Sequence, residues 1–362
     1  MLTLMSALLL ASSQAPKPWA SPAVPVEKPN EYVGFVNRLG AENAGIFARK
    51  DRLTLLAHGK DNPFILPDWL RLIFVRDDAA DLWVAQATMK DWDRVFFTYT
   101  LKQDGKTTRP VYYGSRAPRA PKSAEGLLGS LQTTAFPSKE LGESREITVY
   151  LPPGGGTKLN AVYMADGQSC EAFAKVLEPL ILAKRVAPTA IVGLFHGLYK
   201  GDGAKYDFAQ DFRAREYLKI ADPERFESHL RFVTEEVIPW AEPKFGLASG
   251  AAHRALFGFS NGGAFALVAS AERPEIFGSV LPYSIAVYDR DELRKTVEGK
   301  RLPRYWLAAG TLESFVQATG EAETILKGGH ARVQFDRYVA GHDSALWQMA
   351  FAQALPKVFP AR

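Results

Sequence analysis

The sequence predicts an α/β fold: a mostly parallel sheet with helices on both faces, preceded by a small all-β domain of immunoglobulin-like sandwich type. Three observations carry this. After residue 126, short and almost wholly apolar runs alternate with segments of helical spacing, as in a parallel sheet covered on both faces. Over residues 31–115, short β-rich runs are separated by turn residues, as in an antiparallel sandwich. Residues 116–125 lie between them, carry Pro118 and Pro121 among basic residues, and read as a linker.

Composition narrows the classes. The chain has 362 residues, room for about two domains at roughly 150 residues each. Hydrophobic residues make up 47% and charged residues 23%, which excludes a disordered or fibrous chain. The net charge is only +4 and the basic residues are scattered, so nucleic acid is not an expected partner. Cys170 is the single cysteine, which excludes an internal disulfide and any zinc site built on cysteines.

Residues 1–15 read as a secretory signal. Leu2 to Ala11 is almost entirely apolar but far shorter than the roughly 20 residues that span a bilayer, and Ser13-Gln14-Ala15 offers small residues for cleavage. No Lys or Arg precedes the apolar run, and no cysteine follows it for a lipid anchor. Residues 16–30, rich in Pro and Ala, read as an extended linker. The expected location is therefore periplasmic or secreted, with no stable membrane anchor.

In the β-domain, which is strand-like from about Tyr32, strands are expected at 70–75, 81–87 and 95–101, separated by Arg76-Asp77-Asp78 and Asp104-Gly105. In the α/β half, strands are expected at 145–151, 159–165, 189–194, 255–258, 279–285, 304–309 and 333–339. Helical spacing marks 173–184, 226–241 and 263–271.

The sharpest motif is Gly258-Phe259-Ser260-Asn261-Gly262-Gly263, between an apolar strand and an apolar helix. A serine on so tight a strand-to-helix turn sits in strained backbone, and small residues two before and two after it prevent clashes. Its hydroxyl needs a base to become a nucleophile. His342, just past the last expected strand, is the choice over His330, His253, His58 and His196. The acid that orients the base should lie between them in sequence; Glu313 follows the 304–309 strand, and Asp289 and Asp291 follow the strand before it. Backbone N–H groups should hold the developing oxyanion, one from Asn261 and one from Gln168 in the loop after 159–165. Arg213, Arg215 and His196 are candidate pocket residues, the two arginines for an anionic catecholate or carboxylate.

With these residues in place the chain resembles the putative-esterase branch of the α/β-hydrolases, and within it the enterochelin (ferric siderophore) esterases. The resemblance runs through residues 145–153, Asp166-Gly167-Gln168, 213–218, 235–240, the Ser260 turn, 310–313 and Gly341-His342-Asp343 with Trp347; Asp81-Leu82-Trp83 and 94–99 are similar to the N-terminal β-domain of those esterases. It implies a serine esterase with Ser260, Glu313 and His342 as triad, a small-molecule ester as substrate, and no cofactor or metal. Two departures stand out: Cys170 lies where those esterases commonly carry an aromatic residue, and they are cytoplasmic. A secreted carbohydrate acyl or feruloyl esterase, with Trp83, Trp92 and Tyr99 stacking on sugar rings, is the alternative enzyme; a non-catalytic binding protein on the same fold is the other reading.

Overall fold

The computed structural model describes residues 30–361, apart from 41–42, 50, 68, 71, 104, 121 and 202–205. The signal read over residues 1–15, and the linker at 16–30 except Asn30, lie outside the described residues. The described chain forms two compact units. One comprises the residues up to Arg119 together with Gly310–Ser314 and Tyr338–Leu346; the other comprises Ala120–Ala309, Phe315–Arg337 and Trp347 onward.

The first unit is built on short antiparallel strands. Strands β1 (Ala44–Arg49), β2 (Arg52–His58), β4 (Val75–Asp77) and β5 (Leu82–Thr88) form a sheet in the order β1-β2-β5-β4. β3 (Phe64–Ile65), β7 (Thr100–Gln103) and β8 (Lys106–Thr108) form a second sheet, and β6 (Phe96–Thr98) with β9 (Val111–Tyr113) a third. Leu53, Leu55 and Ala87, fully or almost fully buried, pack with Trp92 and Phe97 into its core. Three local expectations change. A helix, Asn30–Leu39, opens the described chain; Tyr32, Phe35 and Leu39 share its buried face over β-sheet residues Leu56, Leu82 and Val84. Of the described residues in the strand expected at 70–75 only Val75 is in a strand, β4, which runs on through the Arg76-Asp77 expected as a turn. The strand expected at 95–101 divides at Tyr99 into β6 and β7, which join different sheets.

The second unit holds an eight-stranded sheet, ordered β10-β11-β13-β12-β14-β15-β16-β17. The strands are β10 (Ser130–Ser138), β11 (Glu143–Leu151), β12 (Asn160–Ala165), β13 (Thr189–Leu194), β14 (Arg254–Phe259), β15 (Ser279–Tyr283), β16 (Arg304–Gly310) and β17 (Val333–Tyr338). β10 and β11 are antiparallel, whereas β13, β12, β14, β15 and β16 run parallel. The central strands are buried along almost their whole length, while edge strand β10 is mostly exposed. This gradient is what made the central strands legible as continuous apolar runs.

The connection from β12 leads to β13 on one side, and that from β14 leads to β15 on the other. Right-handed crossovers in opposite directions put the helices Cys170–Leu182 and Asn261–Glu272 on opposite faces of the sheet. The strand order thus reverses between β12 and β14, and open α/β sheets bind ligands beyond the carboxyl ends of the strands at such a point.

A polar cluster is sealed beside this sheet. Glu216, with no exposed surface, accepts from Arg145 at 2.6 Å and from Arg225 at 2.7 Å. His229, fully buried, lies against the rings of Tyr217, Phe232 and Phe265. Its Nδ1 is 3.5 Å from Glu216, yet burial, reinforced by Arg145 and Arg225, pushes its pKa well below the ordinary value. The unfolded chain binds a proton there near pH 6.5 and the folded chain does not. Stability should therefore fall as pH drops below about 6.5, by up to about 1.4 kcal/mol per pH unit from this group, and be unaffected by it above. Denaturant melts of wild type and His229→Phe between pH 5 and 7.5 check this: the variant should lose that part of the slope, and parallel curves would exclude it.

Candidate active site

Ser260 follows β14 directly and has φ 58° and ψ −125°, a backbone region that costs a residue with a Cβ about 1–3 kcal/mol. Neighbours hold it there: its N–H donates to Tyr283 O at 3.0 Å, and its carbonyl accepts from Ala264 at 3.1 Å and Ala286 at 3.2 Å. The flanking glycines are required by distance. A Cβ on Gly258 would lie 2.1 Å from the Gly262 carbonyl oxygen, and one on Gly263 would lie 2.4 Å from the Tyr283 carbonyl oxygen. Asn261 is the first residue of the helix Asn261–Glu272, so its N–H precedes any intrahelical partner and lies at the positive end of the helix dipole. Below the turn Phe259 stacks on Trp347 at 4.1 Å, and the Trp347 indole donates to Ser284 Oγ at 2.9 Å.

The loop after β12 lies beside the serine turn. Asp166 has φ 59° and leads into a 3₁₀ turn, Gly167–Ser169. The Gly167 and Gln168 N–H groups precede the first hydrogen bond of that turn, Ser169 N–H to Asp166 O. Gly167 has no room for a side chain, since a Cβ would sit 2.5 Å from the Gly193 backbone. The nearly buried Asp166 carboxylate accepts both ends of the Arg213 fork, at 2.6 and 2.8 Å, while its N–H donates to Tyr217 Oη at 2.9 Å. A Cβ on Gly262 would come within 3.0 Å of that carboxylate, so this loop and the serine turn touch. His196 sits over the loop, with Nδ1 2.7 Å from Gly197 O and Nε2 3.0 Å from the Gln168 side-chain nitrogen. A carbonyl only accepts, so Nδ1 carries the proton and Nε2 accepts from the Gln168 amide.

The two arginines expected at the pocket are both paired within the protein. Arg213 does not hold its fork ready for a bound anion, because Asp166 uses it in a two-point pair. Arg215 likewise pairs with Asp222 at 2.7 Å and donates to Ala209 O at 2.9 Å. Both charges are answered within the protein.

His342 and Glu313 meet in the first unit. The Glu313 side chain is almost fully buried; Oε1 accepts from the Gly310 N–H at 2.8 Å and Oε2 lies 2.6 Å from His342 Nδ1. A carboxylate only accepts, so the shared proton is on Nδ1 and the imidazole lone pair is on Nε2. The two loops fix each other: Thr311 N–H donates to Tyr338 O at 2.8 Å and Leu312 N–H to Ala340 O at 3.0 Å. A Cβ on Gly310 would lie 2.1 Å from the Ala340 carbonyl oxygen. The rival acids have structural tasks. Asp289 caps the helix Arg290–Val297, accepting from Asp291 and Glu292 N–H at 2.9 Å, and exposed Asp291 pairs with Arg294. His330 is exposed, and so is His253, which bonds Asn160.

The aromatic residues considered for sugar stacking are core. Trp92 is fully buried, and Trp83 and Tyr99 pack partly buried against the same cluster. Cys170 is buried at the start of its helix, and burial pushes its thiol up to about 12, so it is an inert space-filler beside Gly193. Sequence reasoning missed Tyr217 and the pairing of Asp166 with Arg213; the only signal was the clustering of charged residues around 211–216.

Comparison with known proteins bears on this arrangement. The family described as "Putative esterase" matches residues 138–358. The uncharacterized protein YjcH of Bacillus subtilis (strain 168) is 22% identical over 247 residues, covering 64% of this chain and 98% of its own. The crystal structure of the enterobactin esterase FES from Shigella flexneri, determined in the presence of enterobactin, superposes with a TM-score of 0.67 at 14% identity, covering 91% of this chain and 98% of that one. A CE1 ferulic acid esterase, AmCE1/Fae1A of Anaeromyces mucronatus, superposes with a TM-score of 0.51 at 19% identity, covering 64% and 92%. Likenesses at these identities establish the α/β-hydrolase fold.

The contact at Gly258 sets an expectation for stability. Gly258→Ala should lower the melting temperature by several degrees, the result of about 1–3 kcal/mol of overpacking. Thermal denaturation checks it, and an unchanged melting temperature would mean that the turn has slack the geometry denies.

Proposed function

We propose that this chain, which belongs to the "Putative esterase" family, is a serine esterase that cleaves carboxylic esters through an acyl-enzyme. The single observation that carries the reading is the 2.6 Å bond between Glu313 and His342 Nδ1, which leaves Nε2 as the basic nitrogen. His342 takes the Ser260 proton as the hydroxyl attacks the ester carbonyl. Glu313 fixes the tautomer and stabilises the imidazolium. The Asn261 and Gln168 N–H groups hold the oxyanion, each such donor typically contributing about 3 kcal/mol. Protonated His342 then gives its proton to the leaving alkoxide. Water repeats the sequence on the acyl-enzyme and releases the acid. Chain order supports this: Ser260, Glu313 and His342 follow β14, β16 and β17, the order serine, acid, histidine of this fold.

For the substrate we favour a siderophore trilactone, because the likeness to the enterobactin esterase covers 91% of the chain and so includes the N-terminal unit, whereas that to the ferulic acid esterase covers 64%. The burial of Trp92 and the packing of Trp83 and Tyr99 take support from the carbohydrate alternative.

Purified protein should hydrolyse short-chain p-nitrophenyl esters. Ser260→Ala should be inert, and Glu313→Gln should lower kcat by roughly 10³–10⁴-fold, as loss of the orienting carboxylate does in serine triads. A wild-type protein inert across a broad ester panel would return the chain to the non-catalytic reading. Comparing kcat/KM on a cyclic trilactone siderophore with that on a feruloylated oligosaccharide decides the substrate class, and preference for the oligosaccharide would overturn our choice.

A further inference from the structure

The loop that carries His342 is fastened at several points within the first unit. Thr98, the last residue of β6, donates its N–H to Asp343 Oδ2 at 2.9 Å and its hydroxyl to Oδ1 at 2.8 Å, across 245 positions of sequence. Oδ1 also accepts from the Ala345 N–H at 2.8 Å, so both oxygens of this nearly buried carboxylate are engaged. Two residues earlier, at the start of β6, the Phe96 N–H donates to Val339 O at 3.2 Å. Trp69 closes on the residue before the histidine: a Cβ at Gly341 would lie 2.2 Å from its indole. Val339 and Leu312 pack against the cluster that holds Trp69 and Phe97. Burial works against the charged form of Asp343, and the donors from Ala345 and Thr98 counter it. A carboxylate taken out of water needs such donors, and Thr98 supplies two of the three.

We propose that Thr98, acting through Asp343, is a positioning residue for the His342 imidazole, so that the N-terminal β-strands set the geometry of the base. Asp343 is covalently next to His342, and its two oxygens are clamped from β6. The histidine main chain is thus fixed from one side by Trp69 against Gly341 and from the other by Thr98 on Asp343. Glu313 then sets the rotation and tautomer of the ring. Loss of the Thr98 hydroxyl leaves the carboxylate one donor short and the loop less confined, and small displacements of a catalytic group lower the rate of the chemical step more than they weaken substrate binding. The inference rests on the reading of His342 as the base.

The test uses the full chain and p-nitrophenyl acetate. Thr98→Val keeps the side-chain shape and removes the hydroxyl, whereas Thr98→Ser keeps the hydroxyl. Thr98→Val should lower kcat by roughly tenfold or more with KM within about twofold of wild type, and Thr98→Ser should stay within about twofold in both. Asp343→Asn, which loses an acceptor for the Thr98 N–H, should show the same kcat-selective loss, and it decides the matter if Thr98→Val does not fold. Full kcat in Thr98→Val or Asp343→Asn, or an equal loss in Thr98→Ser, would overturn the positioning role. His342→Ala separates the two levels. If it is inactive while the Thr98 variants match wild type, only this inference fails; if it retains full activity, the esterase mechanism fails and the inference with it.

Discussion

The backbone at Ser260 is the constraint on which the rest depends. A residue with a Cβ is held at φ 58°, where L-residues are uncommon. The conformation persists because its alternatives are closed. The strand before it and the helix after it approach so closely that Gly258 and Gly262 meet backbone to backbone, and Ser260 is bonded through its N–H to Tyr283 and through its carbonyl to Ala286. The cost, about 1–3 kcal/mol, is small beside what the flanking strand contributes: Leu256 and Phe257 are fully buried, and each such side chain stabilises by about 1.5–3 kcal/mol. The turn is therefore affordable only at the end of a central strand, which is where it lies.

Charge is used around this turn to fix shape. The Asp166 carboxylate sits almost without solvent beside Gly262, and its partner Arg213 reaches it from the short helix Phe212–Tyr217. The same helix sends Glu216 to Arg145 on β11 and Tyr217 to the Asp166 N–H. Buried ion pairs of this kind add little net stability, since desolvation consumes most of the attraction, but breaking one partner is costly. In this arrangement the loop after β12 has its Asp166 paired and its Gln168 side chain bonded to His196. Arg213, read from the sequence as a ligand for anions, is instead part of this internal bracing.

How much of this was legible follows from the range of each interaction. The runs at 189–194 and 255–258 announce central strands because burial on both faces leaves no polar position, and the glycines around Ser260 announce the turn because backbone contact tolerates nothing larger. His342 and Glu313, which the structure brings within 2.6 Å, were singled out by their position after strands, which is still a local reading. The helix Asn30–Leu39 was missed although Tyr32, Phe35 and Leu39 have helical spacing, because the strand-rich stretch that follows set the reading for the whole segment. The division at Tyr99 depends on which sheet each half joins, and no neighbouring residue records that. Thr98 and Asp343 are ordinary residues in sequence; only the fold pairs them.

That pairing bears on why the loops with Glu313 and His342 belong with the N-terminal strands. A loop that leaves a strand end has backbone groups to satisfy and few neighbours to satisfy them. Here residues 310–314 and 338–346 satisfy part of the need mutually, through Thr311 with Tyr338 and Leu312 with Ala340. Phe96 of β6 adds a bond to the Val339 carbonyl, Thr98 engages the Asp343 side chain, and Trp69 fills the space that Gly341 leaves. Ordering a residue costs roughly 1–2 kcal/mol of backbone entropy, so the segment 339–343, between β17 and the helix Ser344–Val358, draws on contacts beyond the mutual bonds and the Glu313–His342 pair. The β-strands of the first unit supply such contacts, through Phe96 and Thr98, to the segment that carries His342.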